Sequence, residues 1–221
     1  PYLYIEAVGE VLVDSYETVG QRAQTGGALY RALNDLAVRG ARKQASSFSK
    51  DLHRVVVQYR FPFYGTDGLI APFVLHERPF PIRRILGFAP SRTYTGLVIL
   101  AQGDFPAYGK SGREKVRACL LPKLFDHRMD PVLAPENCDP QFLVRWGVAA
   151  YAYSADEATL RTYYDRIGVF PLRTMARGVF GRNSTDILLP EDAVRQLLGR
   201  EANRALLREG RILIVLDPPE R

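Results

Sequence analysis

No stretch of this chain approaches the roughly 20 apolar residues needed to span a bilayer as a helix. The apolar runs, such as Gly96–Ala101 and Ile212–Leu216, are strand-sized and bounded by polar residues. The signatures of the common catalytic sites are missing as well. There is no Walker phosphate loop, no Gly-x-Gly-x-x-Gly behind a strand, no His-Glu-x-x-His and no Gly-x-Ser-x-Gly. Histidine occurs only at His53, His76 and His127, far apart and each among charged neighbours, so neither a metal nor a cofactor is expected. Cysteine occurs only at Cys119 and Cys138, and their spacing fits no Cys-x-x-Cys or Cys/His zinc site. No run of five like charges exists, which excludes a basic or acidic tail.

What is present is a globular composition. At 221 residues and 47% hydrophobic content, the chain can bury a core without staples. The net charge of +6 reflects a solvated basic surface or an anionic partner: nucleic acid, lipid headgroup or cell-wall polymer. The chain opens at Pro1 on strand-like sequence with no charged or apolar leader, and the expectation is a mature boundary with the signal peptide already removed.

Residues 2–13 alternate with period two and predict a strand. Asp14 and Glu17 offer a capping box, and the period then changes. Val19, Ala23, Tyr30, Leu33 and Ala37 share one face of a helix expected to run to Phe48 and to pack on a sheet holding residues 2–13 and His53–Phe63. Arg31, Arg39, Arg42 and Lys43 occupy the remainder of that helix and form a candidate interaction surface. Gly26 and Gly27 interrupt it, at about 1 kcal/mol each relative to alanine. The proline- and arginine-rich stretch 77–93 is a candidate seam within a single domain, 1–221.

Further on, Tyr94–Ala101, Val116–Phe125, Val144–Tyr153, Phe170–Arg182 and Arg211–Leu216 predict strands, and Val116–Phe125 forms a hairpin with Pro131–Leu133. The Ile212–Leu216 run predicts a central strand covered on both faces. Ser154 and Glu157 predict a capped helix to about Ile167. Pro190, Glu191 and Asp192 predict another, closed by Gly199. Strict strand–helix alternation is lacking, so the class is α+β: a mixed or antiparallel sheet packed by one long amino-terminal helix and shorter helices. The carboxylate pairs Asp156/Glu157 and Glu191/Asp192 sit in helix first turns, where the dipole explains them. Tyr59, Phe61, Phe63 and Tyr64 interleave with Arg60, a pattern shared by half-buried strands and by platforms that stack single-stranded nucleic acid.

Several segments in shared order carry a resemblance. They are Ile5–Glu10, the long Ala/Arg-containing helix, Tyr64–Leu69, Tyr94–Ile99, Gly181–Ile187 and Leu207–Asp217. The chain resembles exported bacterial envelope proteins related to the amino-terminal domain of the flagellar assembly protein FlgT and to small outer-membrane lipoproteins. That resemblance implies a periplasmic or outer-membrane-associated location, no enzymatic activity and a structural, assembly or binding role. Partners would be envelope or flagellar-base proteins or cell-wall polymer, with peripheral membrane association. The chain departs from the family pattern where Leu100 and Gln102 replace an Asp and an Arg. The competing expectation is a nucleic-acid-binding module using the basic helix and the Tyr59–Tyr64 strand. An exported chain matures where thiols oxidise, so Cys119 and Cys138 are weighed as a disulfide across the hairpin against two unpaired cysteines, one of them a small apolar filler in a strand.

Overall fold

The computed structural model describes residues 8–50, 54–85 and 90–219. The opening of the expected first strand and His53 lie outside those residues. Helices and strands segregate as α+β, in agreement with the sequence.

The amino-terminal helix is shorter than its periodicity suggests. Asp14 accepts from the amides of Tyr16 (2.8 Å) and Glu17 (3.1 Å), forming a turn ahead of the helix rather than its cap. Thr18 is the true cap: its Oγ1 accepts from the Gln21 amide while Gln21 Oε1 accepts from the Thr18 amide. Helix α1 (Val19–Thr25) stops at Gly26, whose extended backbone also starts α2 (Gly27–Gly40). Val19, Ala23 and Leu33 are buried as their spacing predicts and Leu36 is buried beside them, but Tyr30 faces solvent. Beyond Gly40 the chain extends into β1 (Arg42–Phe48), which pairs antiparallel with β2 (Val55–Arg60). These two strands pair with no other described strand, and α2 packs against α1 and the 3-10 turn Ala71–Phe73. Among residues 8–13 no strand forms, only a bridge from Leu12 to Thr18.

The body holds two sheets. One joins β3 (Leu97–Leu100), β8 (Ala150–Ala152), β9 (Leu172–Met175) and β12 (Ile212–Val215) in the order β8-β12-β3-β9, all parallel. Ile212–Val215 is indeed central, and each of its four side chains is fully buried. Helices α4 (Glu157–Arg161) and α5 (Tyr164–Ile167) cover one face, where Leu160 and Ile167 meet Val98, Leu213 and Val215. On the other face Ile99, Ile212 and Ile214 join the main core with leucines of α3 (Pro140–Trp146), α6 (Glu191–Leu198) and α7 (Glu201–Arg208). Each such side chain contributes roughly 1.5–3 kcal/mol on burial, and coverage on both sides is why these strands read as unbroken apolar runs.

The second sheet is mixed. β4 (Phe105–Tyr108), β5 (Arg113–Glu114), β6 (Leu124–Phe125), β7 (Pro131–Leu133), β10 (Gly178–Phe180) and β11 (Asp186–Leu188) lie in the order β5-β4-β10-β11-β6-β7. The expected hairpin survives as β6–β7, but residues 116–123 are irregular. The Val144–Tyr153 strand is really two elements. Asp139 caps α3 by accepting from the Gln141 amide (2.9 Å), and only Ala150–Ala152 is extended. Phe170–Arg182 likewise divides into β9 and β10. The helix expected from Ser154 is capped by Asp156, which accepts from the Thr159 amide (2.7 Å).

The proline-rich 77–93 stretch, where described, is bound to the body. The Phe80 amide donates to Glu136 O (2.8 Å), and Asn137 Nδ2 donates to the carbonyls of Phe80 and Pro81. Arg83 bridges Asp126 (2.6 Å) and Asp130 (3.0 Å). Burial works to raise the Asp126 pKa. The bonds from Arg83 and from the Asp130 and Arg128 amides outweigh it and hold the carboxyl below its usual range. A depressed folded pKa means stability that is present above the unfolded value, near 3.9, and lost as pH falls through the folded one. Asp126→Asn is therefore expected to cost about 1–2 kcal/mol at pH 7, from one weakened charge-assisted set of bonds. The gap to wild type should narrow as pH falls through the depressed folded pKa. Urea melts at neutral and at acid pH check this, and an undiminished gap in acid would remove the carboxylate from the account.

Candidate functional site

Three separated segments meet in an open cleft of about 1160 Å³. One wall is the strap Ser91–Tyr94, and its position is fixed by Asn203 on α7. Asn203 is fully buried. Its Nδ2 donates to Ser91 Oγ (3.1 Å), Arg92 O (2.7 Å) and Gln196 O (2.8 Å), while its Oδ1 accepts from the Tyr94 amide (3.0 Å). An amide can satisfy both its donors and its acceptor here, which is why a polar side chain is tolerated in that core. Ser91 Oγ also donates to Gln196 O (2.7 Å), and Arg200 Nε donates to Ser91 O (2.6 Å). The strap thereby presents Arg92 from rigid backbone.

The opposite wall is the β9–β10 junction and the end of β11. Arg177 stands between the two strands, its amide donating to Leu188 O (2.8 Å). Beside it the ring of Tyr108 lies over Gly178. A Cβ at Gly178 would sit 2.7 Å from Tyr108 Cε2, so glycine is what lets the ring rest there. The first turn of α6 closes the cleft, with Glu191 paired to Arg195 and Asp192 alongside. His127 reaches the same space from the β6–β7 turn.

Four arginines, Arg92, Arg177, Arg195 and Arg200, thus face two carboxylates. Arg92 and Arg177 form no ion pair with any described residue, and both are exposed. Guanidinium groups aimed into a concave site, with donors to spare, suit a carboxylate or phosphate bound through paired hydrogen bonds.

A second polar cluster surrounds the Gly181–Ile187 loop. Ser184 takes a left-handed backbone (φ 55°) and is buried. Its hydroxyl bonds Glu114, and Lys110 Nζ holds Glu114 (3.1 Å) together with Arg182 O (2.9 Å). Thr185 Oγ1 donates to Ser15 Oγ (3.1 Å), and Asp186 Oδ1 accepts from the Lys123 amide (3.1 Å). Burial raises the Asp186 pKa against the opposing bonds from Ser15 and Lys123. Tyr151, also raised by burial, donates to Cys119 O (2.9 Å).

The two cysteines are free thiols, the unpaired alternative rather than the disulfide. Cys119 sits by Tyr151 and Thr185, whereas Cys138 packs its Sγ against Ala134 O and Leu207 O. The 3-10 turn Pro135–Asn137 carries Cys138 into the core beside Leu207 of α7. Burial pushes both thiols up to about 12, so neither is a thiolate at neutral pH. His76 bonds Cys138 O through Nε2 (2.8 Å) and His127 faces the cleft. No cluster of three metal-ligating side chains occurs among the described residues.

The candidate surface of Arg31, Arg39, Arg42 and Lys43 is divided between two elements. Arg31, whose Nε donates to Gly27 O (3.2 Å), and Arg39 lie on α2, while Arg42 and Lys43 begin the ribbon. None of the four lines the cleft. Arg92, Arg177 and Arg200 escape a reading of the sequence because they lie 85 and 23 residues apart and share no local pattern. The one local trace is Pro190-Glu191-Asp192, which fixes where α6 begins.

A family model built on Treponema pallidum Tp0624, second domain, matches residues 96–218. That span is more than half of the 221 residues, and the chain belongs to this family. It takes in both body sheets and all of the cleft except the strap residues 90–92. No curated protein matches the chain.

Proposed function

We propose that this member of the Tp0624 second-domain family is a non-catalytic binding component of the bacterial cell envelope, periplasmic or outer-membrane-associated. In this reading the arginine cleft holds a carboxylate or phosphate presented by an envelope partner. The protein serves assembly of a larger structure, the flagellar base among the candidates. The observation that carries the reading is the pair of exposed arginines, Arg92 and Arg177, facing an open cleft with no carboxylate of their own. Two further observations favour binding over catalysis. The thiols are protonated at neutral pH, and Asp186 and Tyr151 are spent on backbone and side-chain partners inside the core. The ordered resemblance to exported envelope proteins supports the compartment. The nucleic-acid alternative would use a different surface, since Tyr59 and Arg60 are not among the residues lining the cleft.

Isolated cell-wall polymer, sedimented with the purified chain, tests this. Binding is expected, and Arg92→Glu with Arg177→Glu should weaken it at least about tenfold, as loss of two charge-assisted contacts would. Thermal stability should hold, because both side chains are exposed. Unaltered binding in the double variant would overturn the cleft as the site. Fractionation that leaves the native protein in the cytosol would overturn the envelope assignment.

A further inference from the structure

The β1–β2 ribbon has no cover. Every residue of Arg42–Phe48 and Val55–Arg60 is exposed, and the two strands pair with no other described strand. A two-stranded ribbon bare on both faces is marginal in water, so its apolar content calls for a reason.

The register sorts its side chains. Phe48 opposes Val55, Ser46 opposes Val57 and, past an irregularity at Gln44, Lys43 opposes Tyr59. Directly opposed residues share a face. One face therefore carries Phe48 (69% exposed), Val55 (58%), Val57 (38%) and Tyr59 (55%). The other carries Ser47, Val56, Ala45 and Gln58, and ends in Arg42 opposite Arg60. Cations flank the apolar stripe at both ends: Arg42, Lys43 and Arg60 at the base, Lys50 and Arg54 toward the tip. None of the five pairs with a described carboxylate, and residues 42–60 contain one acid, Asp51. Arg39 extends the basic base onto α2.

We propose that this ribbon is a membrane-contact arm that docks on an anionic lipid surface. Phe48, Val55 and Val57 enter the acyl boundary, and Lys43, Lys50, Arg54 and Arg60 meet lipid phosphates. From Val57 to Val55 and beyond to the tip the stripe extends about 7–10 Å along the strand, the depth an interfacial segment occupies. Charge selects the occupant. A second copy would bring five cations against five. A nucleic acid would satisfy the cations but has no use for Val55 and Val57, which cannot stack on bases, and Tyr59 already stacks on Phe61 at 6.5 Å. Anionic lipid accepts both the cations and the aliphatic side chains. The inference is independent of the cleft, whose lining shares no residue with the ribbon.

Flotation of the full chain with vesicles tests it. Wild type is expected to float with 30% phosphatidylglycerol in phosphatidylcholine, and not with phosphatidylcholine alone. High salt should reduce the bound fraction. Val55→Asp with Val57→Asp, and separately Lys50→Glu with Arg54→Glu, should each lower partitioning at least about tenfold. The second pair spares the strand faces, so it reports on contact even if the first loosens the ribbon. Absence of flotation by wild type at low salt would overturn the arm. So would flotation lost in Arg92→Glu/Arg177→Glu but kept in both ribbon variants, or binding of an oligonucleotide that competes with the vesicles through the same ribbon residues.

Discussion

Arg166→Leu is expected to destabilise the protein by about 3–5 kcal/mol, the largest loss anticipated from a single change of a polar side chain here. Arg166 is 7% exposed and pairs with no carboxylate among the described residues. Its Nε donates to Gly210 O (2.7 Å), Nη1 to Trp146 O (2.7 Å) and Nη2 to Gly147 O (2.8 Å). The guanidinium also lies over the Trp146 ring, 5.3 Å from its centre. Those carbonyls belong to the carboxyl end of α3 and to the turn between α7 and β12, both short of intrahelical donors. A single planar fork therefore ties three elements around the central sheet. Burial pulls its pKa down to about 10, so it stays charged at neutral pH.

Two effects oppose each other in that substitution. Leucine removes the cost of burying a cation, which can be several kcal/mol. It also strands three carbonyls without donors, at about 1–3 kcal/mol each. The second should win, because the carbonyls are backbone and cannot be removed with the charge. Arg166→Lys should fall between, since an ammonium is a point donor that cannot span three acceptors set for a fork. Denaturant unfolding decides it. A loss under about 1 kcal/mol for leucine would mean that the carbonyls find other donors and that Arg166 is not the tie.

Gly181→Val should cost about 3–4 kcal/mol through a separate mechanism. Gly181 has φ +91°, a region closed to β-branched residues. A Cβ there would also lie 2.2 Å from Ser15 Cβ, well inside contact distance. Ser15 is itself buried and cannot swing away, since its carbonyl accepts from the Asn183 amide (2.8 Å) and its hydroxyl from Thr185. The loop would have to open, and with it the Ser184–Glu114 and Asp186–Lys123 bonds that join β10 and β11 to their neighbours. Gly181→Ala should lose less, about 2 kcal/mol, because alanine tolerates the left-handed region better but keeps the collision. A valine variant with wild-type unfolding would show that the chain does not pass Ser15 at this distance.

The sequence was most legible where one element satisfies its own needs. Pro190, Glu191 and Asp192 start α6 and Gly199 ends it, and both boundaries hold. It was least legible where an apolar run belongs to two elements. Val144–Tyr153 reads as a strand because Val144, Val148, Ala149 and Tyr151 are all apolar, although Asp139-Pro140 already signals a helix start and Gly147 its end. The left-handed backbone at Gly147 (φ 76°) turns the chain from α3 toward β8. Helix α7 left no clear trace, because its buried Leu206 and Leu207 run straight into the apolar β12 stretch and its exposed face is held by Glu201 with Arg204 and Arg208. The same ambiguity put residues 41–48 into a helix. Alanine, lysine and serine there favour neither state strongly, and pairing with β2 decided it.

By itself, then, the sequence determined what depends on neighbours a few residues away. That includes the α+β class, the buried run Ile212–Val215 with its place between other strands, the glycine break at Gly26 and the buried face through Leu33 and Leu36. Periodicity, caps and runs are local, and burial of an amphipathic face follows from them. Tertiary structure alone decided which strands pair, that β4 runs parallel to β10 and β6 to β11, that the thiols lie in different parts of the core, and that Arg92, Arg177 and Arg200 share one cleft. Those outcomes depend on the path of the chain between distant residues. A charge or a thiol carries no local record of what it will face once loops of 20 to 80 residues have closed.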